Sequence, residues 1–246
     1  MTMLIVVTSW STAPGMPTRR LYKNMEKLAN NERYEEAAIL KNQIAKLDYI
    51  TQPITPISEF IKNPNLFEDI RSEEEKSLRG LLKTYFKVSK LERIECFDVA
   101  HLAGTKPTAS MVTFRNGEPD KKLYRHFKIY QEKGNDDIAS LKEVAIRRTK
   151  HIKDWGESDL IIVDGGRGQV GTFYKEFKNI NIPIIGLAKR FETLVVPYFF
   201  RSKLAFKEIQ VPRGPALYLL QRIRDEAHRF ARRLHHKLIE KEFKNN

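Results

Sequence analysis

The sequence is poor in cysteine and has no long hydrophobic run. Cys96 is the only cysteine among 246 residues, so an intrachain disulfide and a thiolate cluster for zinc or iron–sulfur are excluded. The apolar stretch nearest the N-terminus, Met3 to Val7, is too short for a signal-peptide core or a membrane span. These absences predict a cytoplasmic protein without membrane attachment, large enough for one main α/β domain and something smaller.

The sequence has fewer acidic than basic residues. The chain has 44 Lys and Arg against 31 Asp and Glu, a formal net charge of +13 and a pI near 9.7. Residues 201–246 hold 12 basic and five acidic residues, a net charge of +7. Such an excess predicts a polyanionic partner, with nucleic-acid binding that weakens steeply as salt rises. A solvated basic surface is the alternative that composition alone leaves open.

The N-terminal part predicts a small helical hairpin over residues 18–50. Apolar residues recur at helical spacing on both sides of a turn at "ANNER". Two such helices cannot bury all of their apolar surface, so we expect an exposed stripe that binds a partner, formed by Tyr34, Ala37, Leu40 and Ile44. The alternative is an N-terminal arm packed on its own domain. Residues 51–70 are rich in proline and predict a linker, and residues 71–246 form the main domain.

The main domain changes to short β-rich runs from residue 93. Five runs predict strands: "RIECFDVAHL", "TASMVTFRNGEP", "KKLYRHFKI", "LIIVD" and "IPIIGLAK". The turn-forming pair Asn116-Gly117 separates the second predicted strand from the third. The later runs alternate with amphipathic helices, which favours parallel crossovers. We therefore predict an α/β fold with a mixed five-stranded sheet flanked by helices, and a long C-terminal helix from Gly214 to about Lys241.

Two carboxylates follow apolar runs directly. Asp98 ends "IECF" and Asp164 ends "LIIV", where an unpaired buried charge is costly. Each aspartate alone could form a turn or cap a helix. Two of them at the carboxyl ends of adjacent strands favour a site, because open α/β sheets hold their ligands there. Close carboxylates repel each other, and Mg²⁺ or Mn²⁺ would relieve that repulsion, so a basic protein with this pair is a nuclease candidate.

Several longer motifs resemble one known family. In chain order they are "IECFDVAH", "ASMVTF", "GNDDIASLKEVAIRR", "LIIVDGGRGQ", "IPIIGLAKRFE" and "GPALYLLQRIRDEAHRFA". Together they resemble the catalytic endonuclease half of the UvrC family, the incision subunit of bacterial nucleotide excision repair, over residues 93–240. Residues 18–50, with "YEEAAILKNQI", look like the hairpin through which that family binds UvrB.

The resemblance implies an RNase H-like fold whose catalytic and metal-binding positions are Asp98, Asp137, Asp164 and His228, with Mg²⁺ or Mn²⁺ as cofactor. Asp136 is the better helix cap of the adjacent aspartates, and His228 could serve as a ligand or move a proton. Candidate DNA-phosphate contacts are basic residues of the last motifs: Lys189, Arg190, Arg222, Arg224 and Arg229.

The function implied by the resemblance is a metal-dependent DNA endonuclease of nucleotide excision repair that makes the 5′-side incision in damaged DNA delivered by UvrB. The sequence shows neither the family's GIY-YIG nuclease domain nor its helix-hairpin-helix motifs, so we expect weak DNA binding without its partner. We also expect a monomer. Two alternatives stay open. One is a non-catalytic adaptor for DNA and UvrB, and the other is a stand-alone RNase H-like nuclease.

Overall fold

The computed structural model describes residues 17–50, 63, 65–100, 108–130, 137–188 and 193–245. The chain divides into two compact units, residues 1–56 and 57–246. Of the stretch that the sequence predicts as a linker, residues 51–62 and 64 lie outside the described residues. Leu66 to Ile70 already belong to a helix.

The first unit contains the predicted helical hairpin. Helices α1 (Pro17–Asn30) and α2 (Tyr34–Ile50) pack against each other across a tight turn, in which Glu32 has a positive φ of 58°. Of the predicted stripe, Ala37 and Ile44 are buried, Leu40 is partly buried and Tyr34 is 66% exposed; Ile39, which lies outside that stripe, is 58% exposed. The stripe predicted from the sequence therefore mixes positions that hold the hairpin together with positions that solvent reaches.

The second unit is a mixed sheet between two layers of helices. Its helices are α3 (Leu66–Leu82), α4 (Asp137–Lys150), α5 (Ile152–Trp155), α6 (Arg167–Glu176) and α7 (Pro215–Asn245). Its strands are β1 (Arg93–Ala100), β2 (Thr108–Arg115), β3 (Glu118–Pro119), β4 (Arg125–Lys128), β5 (Leu160–Val163), β6 (Ile184–Ala188), β7 (Thr193–Phe200) and β8 (Lys203–Gln210). A short 3₁₀ helix, Lys121–Leu123, precedes β4. None of the described helices combines the length and apolar character that crossing a bilayer requires.

The strand order is β3-β2-β1-β5-β6-β7-β8, and β4 pairs with β2 beside β3. β5 is parallel to both β1 and β6, and the other pairs are antiparallel. The mixed α/β architecture is as predicted. The strand number is not, because the described residues form eight strands where five were expected.

The missed strands β7 and β8 form one hairpin. Its turn residues, Arg201 and Ser202, have φ of 48° and 61°, the left-handed conformation that glycine or asparagine usually supplies. Pro197 also interrupts the apolar run of β7, and it lies beyond the three residues that pair with β6. By contrast, Asn116-Gly117 does form the expected turn, with positive φ at both residues.

Alternation along the strands divides the core into two halves. Ile94 and Cys96 of β1 face the layer that contains α3 and α7, where they pack with Leu78 and Ile223. Phe97 faces the opposite layer, in the cluster that contains residues of α4 and α6. Asp98 follows the even-numbered positions and therefore points to the α7 side.

A buried ion pair connects β1 to α4. Arg148 and Glu95 are both fully buried, and the guanidinium donates two hydrogen bonds to the carboxylate, at 2.8 and 2.9 Å. Arg148 also donates to the carbonyl of Gly156. Arg93 adds a second cation at 2.8 Å from Glu95. The pair fixes the position of α4 against the strand that carries Asp98.

Replacement of Arg148 by methionine keeps the side-chain bulk but removes one buried charge. Since a broken buried pair leaves its other member poorly compensated, Arg148→Met should lower the free energy of unfolding by about 3–5 kcal/mol in urea titrations. The control is Lys90→Ala, which breaks the exposed Lys90–Glu92 pair and should leave the unfolding midpoint unchanged. A change below about 1 kcal/mol for Arg148→Met would show that the pair is not a structural anchor.

Gly186 of β6 lies against the loop that follows β5. A Cβ atom at this position would stand 2.6 Å from the carbonyl oxygen of Gly165 and 2.4 Å from Val170. Gly80, towards the C-terminal end of α3, offers open space instead, with no contacting atom within 4 Å of the place that a Cβ would occupy. Substitution by alanine is therefore expected to change stability in opposite directions at the two positions.

Gly186→Ala should lower the free energy of unfolding by about 1–3 kcal/mol, because backbone and side chain must move to admit the methyl group. Gly80→Ala should raise it by about 0.5–1 kcal/mol, because alanine is the better helix former. Thermal or urea unfolding of both variants measures the difference. Equal stability of the two variants would contradict the packing described for β6.

Candidate metal centre

The register of the sheet brings Asp98 and Asp164 together. In the parallel pair β1–β5, Phe97 is opposite Val163, so the next residue of each strand is an aspartate. The backbone N–H of Asp164 donates to the carbonyl of Phe97 at 2.9 Å. Both side chains are almost fully buried, 10% and 2% exposed. Two carboxylates therefore share the carboxyl end of adjacent central strands.

His228 of α7 completes the cluster. Its Nδ1 lies 2.8 Å from Asp98 Oδ2, and its Nε2 lies 3.6 Å from Asp164 Oδ2. One ligand atom from each of the three residues can be chosen so that all lie within 4.8 Å of one another. Two carboxylate oxygens and an imidazole nitrogen form a donor set that suits a divalent cation such as Mn²⁺ or Mg²⁺.

The turn of α7 around His228 is held from the β4 side of the sheet. The hydroxyl of Tyr124 donates to Glu226 at 2.8 Å, and its ring meets the edge of Phe230 at 4.9 Å. Burial, followed by the Glu226 carboxylate, raises the pKa of Tyr124, so its hydroxyl remains a donor. On the other flank of His228, Ala227 is fully buried. The imidazole is thus placed by packing rather than by its own contacts alone.

A cleft of about 250 Å³ opens beside the carboxylates. Its lining comes from the ends of β1, β5 and β6 and from the starts of α4 and α6: Asp98, Val99, Leu141, Asp164, Gly165, Gly166, Gln169 and Ala188. The Gln169 side chain accepts a hydrogen bond from the backbone N–H of Gly166 at 3.0 Å. A Cβ at Gly165 would lie 2.8 Å from the same side chain, so glycine keeps the loop close to Gln169.

Cys96 lies in the core next to the cluster. It is fully buried, and burial raises the pKa of its thiol well above the ordinary value. The charges of Asp164 and Asp98 raise it further, whereas Arg224 lowers it. The thiol is therefore neutral.

Asp137, the fourth residue expected at the site, begins α4. Its side chain lies outside the described part of the chain, as do Asp136, Lys189 and Arg190. The backbone position nevertheless places Asp137 one turn before Leu141, which lines the cleft.

The three predicted arginine contacts of α7 have different surroundings. Arg222 donates to Glu74 at 2.5 Å, to Glu118 at 3.3 Å and to the carbonyl of Gly117 at 3.0 Å. This network joins α7 to α3 and to the β2–β3 turn, which gives Arg222 a structural role. Arg229 is half-exposed and paired with Glu226 at 2.6 Å, and Arg224 is mostly buried, with its Nε 3.6 Å from Asp225.

Sequence reasoning missed Gln169, Tyr124 and the acidic anchors of Arg222. Gln169 carried a signal, because it stands three residues after Gly166, where a glutamine can accept from the first backbone N–H of a helix. No local pattern indicates Tyr124 or Glu118, since their partners on α7, Glu226 and Arg222, are more than 100 residues away in the sequence.

Comparisons with known proteins agree with this architecture. Residues 83–231 match the family model of the UvrC RNase H endonuclease domain, and residues 18–50 match that of the UvrB/uvrC motif. UvrABC system protein C of Methanosphaera stadtmanae is 38% identical over 205 residues, 77% of this chain and 33% of that protein. The Methanosarcina acetivorans protein of the same name is 49% identical over 142 residues, 56% of this chain and 27% of that protein.

The chain thus spans about a quarter to a third of the length of these relatives. The endonuclease-domain match includes Asp98, Asp164 and His228, and it alone covers more than half of the residues. The chain belongs to the UvrC family.

Proposed function

We propose that the chain is a divalent-metal-dependent endodeoxyribonuclease that makes the 5′-side incision of nucleotide excision repair. The observation that carries the proposal is the Asp98–Asp164–His228 cluster at the open end of the sheet, within the segment that matches an endonuclease domain. The net charge of +13 supports a DNA substrate, because basic side chains gain affinity from counterion release along phosphates.

The donor set fits a metal ion, and Asp98, Asp164 and His228 would hold it, with Asp137 as a fourth candidate ligand. When bound, the ion would polarise the scissile phosphodiester and make a water molecule more acidic. The 3.6 Å between His228 Nε2 and Asp164 Oδ2 is too long for a good hydrogen bond. A neutral imidazole whose Nδ1–H donates to Asp98 would direct its Nε2 lone pair towards the Asp164 carboxylate, and a bound cation would offset the repulsion between them.

The chain's own residues would orient His228 and exclude water from the reacting phosphate. Asp98 fixes the tautomer and ring orientation of His228 through the 2.8 Å contact. Gly166, where a Cβ would have its nearest contact at 3.8 Å, would leave the cleft open to a sugar–phosphate strand at the carboxylates. Leu141 and Val99 form the apolar side of the cleft and limit the water around the reacting phosphate.

Loss of one carboxylate should remove both metal binding and cleavage. Asp98→Asn and Asp164→Asn should each lower Mg²⁺- or Mn²⁺-dependent incision of a 5′-labelled duplex with a lesion, in the presence of UvrB, by at least about 100-fold, since even changes around metal ligands cost about 10–100-fold. Calorimetric Mn²⁺ binding should disappear in parallel, while circular dichroism stays unchanged.

The matched control is Asp154→Asn, which removes one carboxylate from the exposed helix α5. It should leave incision and Mn²⁺ binding as they are. Incision near the original rate in either site variant would refute the metal assignment. A protein that binds DNA and UvrB but never cuts with Mg²⁺ would instead be the adaptor.

We also propose that the N-terminal hairpin binds UvrB. Tyr34 and Ile39 are large apolar side chains that solvent reaches on α2, which is the kind of surface a second helical hairpin covers. Burial of Ile44 at 3% exposure gives that residue a structural role within the hairpin, so its substitution would unfold the element rather than probe the contact.

Ile39→Asp should weaken UvrB binding, measured by calorimetry, by at least about tenfold, because a charge replaces an apolar contact. Gln43→Asp is the matched control, since it adds the same charge at an exposed polar position of the same helix. Nonspecific nicking in Mn²⁺ should be equal in both variants. Equal UvrB affinity of the two variants would show that Ile39 is not part of the interface.

A further inference from the structure

Edge strand β4 presents a row of exposed side chains that the proposed chemistry does not use. His126 and Lys128 point outwards, while the alternating residues Phe127 and Ile129 are fully buried. Tyr130 continues the outward row, and 64% of its surface is exposed although it is a large aromatic residue. We name His126, Lys128 and Tyr130 the β4 strip.

The backbone of the strip is fixed to α4. The N–H of Tyr130 donates to the carboxylate of Glu143 at 3.1 Å, and Arg147 donates to the carbonyl of Lys128 at 2.8 Å. Glu143, the acidic residue of this group, is only 16% exposed and also lies 3.4 Å from Arg147. The tyrosine ring is therefore presented to solvent from a backbone held at two points, which lowers the entropy lost when a ligand binds.

Aromatic rings and cations alternate along the strip. Lys128 Nζ and Arg147 Cζ each lie 5.9 Å from the centre of the Tyr130 ring. His126 stacks on Phe230 of α7, with ring centres 3.9 Å apart and planes 13° from parallel. Rings interleaved with cations are typical of surfaces that bind single-stranded nucleic acid, where bases stack and phosphates meet positive charge.

The sheet register places the strip beside the metal centre. Asp98 is opposite Ser110, and Ser110 is opposite His126, so these residues form one row across β1, β2 and β4. Two strand spacings therefore separate His126 from Asp98, a distance of about 10 Å. Phe230, under His126, is two residues from His228. A DNA strand that reaches the carboxylates can therefore continue over the strip within a few nucleotides.

We propose that the β4 strip binds an unpaired stretch of the DNA strand next to the scissile phosphate. Tyr130 stacks on one base, and Lys128 and Arg147 meet the flanking phosphates. The proposal rests on the proposed function only in taking DNA as the substrate. An unpaired strand is favoured over a duplex because paired bases cover each other's faces and leave none for a ring.

The test compares strands with and without bases, bound to the full chain in EDTA so that no cleavage occurs. A labelled 12-nucleotide oligothymidine and the same strand with four central abasic positions are titrated by fluorescence anisotropy. The unmodified protein should prefer the complete strand by about tenfold. Tyr130→Ala should lose that preference and bind the abasic strand as before, whereas Tyr130→Phe should keep it.

Two further variants separate stacking from charge. Lys128→Ala should weaken both strands equally and reduce the slope of log affinity against log salt by about 0.7, the single-strand value per phosphate. Tyr198→Ala, an exposed aromatic change on β7 near the other edge of the sheet, should change neither strand. An equal loss on both strands for Tyr130→Ala, or no loss, would overturn the proposal.

Loss of UvrB binding by Tyr130→Ala with unchanged DNA affinity would also overturn it, and would assign the strip to a protein partner. Because binding is measured without metal, an inactive nuclease centre would leave the result standing. Conversely, a failed stacking test would not affect the metal assignment, because that is tested separately by incision with the carboxylate variants.

Discussion

The buried pair of Arg148 and Glu95 is the constraint on which the placement of the site depends. Glu95 lies three residues before Asp98 and points to the opposite side of β1, where it meets α4. A shift of α4 by one residue would separate Arg148 from Glu95 and leave the buried guanidinium without its carboxylate, which costs far more than a shift of apolar residues. The pair therefore specifies where α4 begins, and with it the backbone position of Asp137 relative to Asp98.

Helix α7 contributes residues both to the core and to the candidate metal centre. Leu220, Ile223 and Ala227 fill the core, while His228 reaches the two aspartates from the next position. Arg222 and Tyr124 secure the same helix on either side, the first through Glu74 and the second through Glu226. The position of the imidazole is consequently set by contacts spread over three elements.

Patterns that are local in sequence predicted the parts of this architecture that local forces determine. Asp98 and Asp164 could be located because each ends an apolar run, and the Asn116-Gly117 turn because its residues favour positive φ. The β7–β8 hairpin was missed because Arg201 and Ser202 adopt that conformation without the usual residue types. The ion pair of Arg148 and the anchoring of Arg222 depend on partners far away in the chain, and nothing in either local sequence indicates them.

The β7–β8 hairpin also bears on how the protein behaves in solution. Three consecutive aromatic residues, Tyr198 to Phe200, are exposed on it, and β8 ends the described strand order. Such an edge can pair with another copy of itself. Arg201 lies over Phe200 at 5.4 Å, and Lys203 and Lys207 add exposed positive charge along β8. Repulsion between these like charges would disfavour pairing of this edge with a second copy, an effect that high ionic strength weakens.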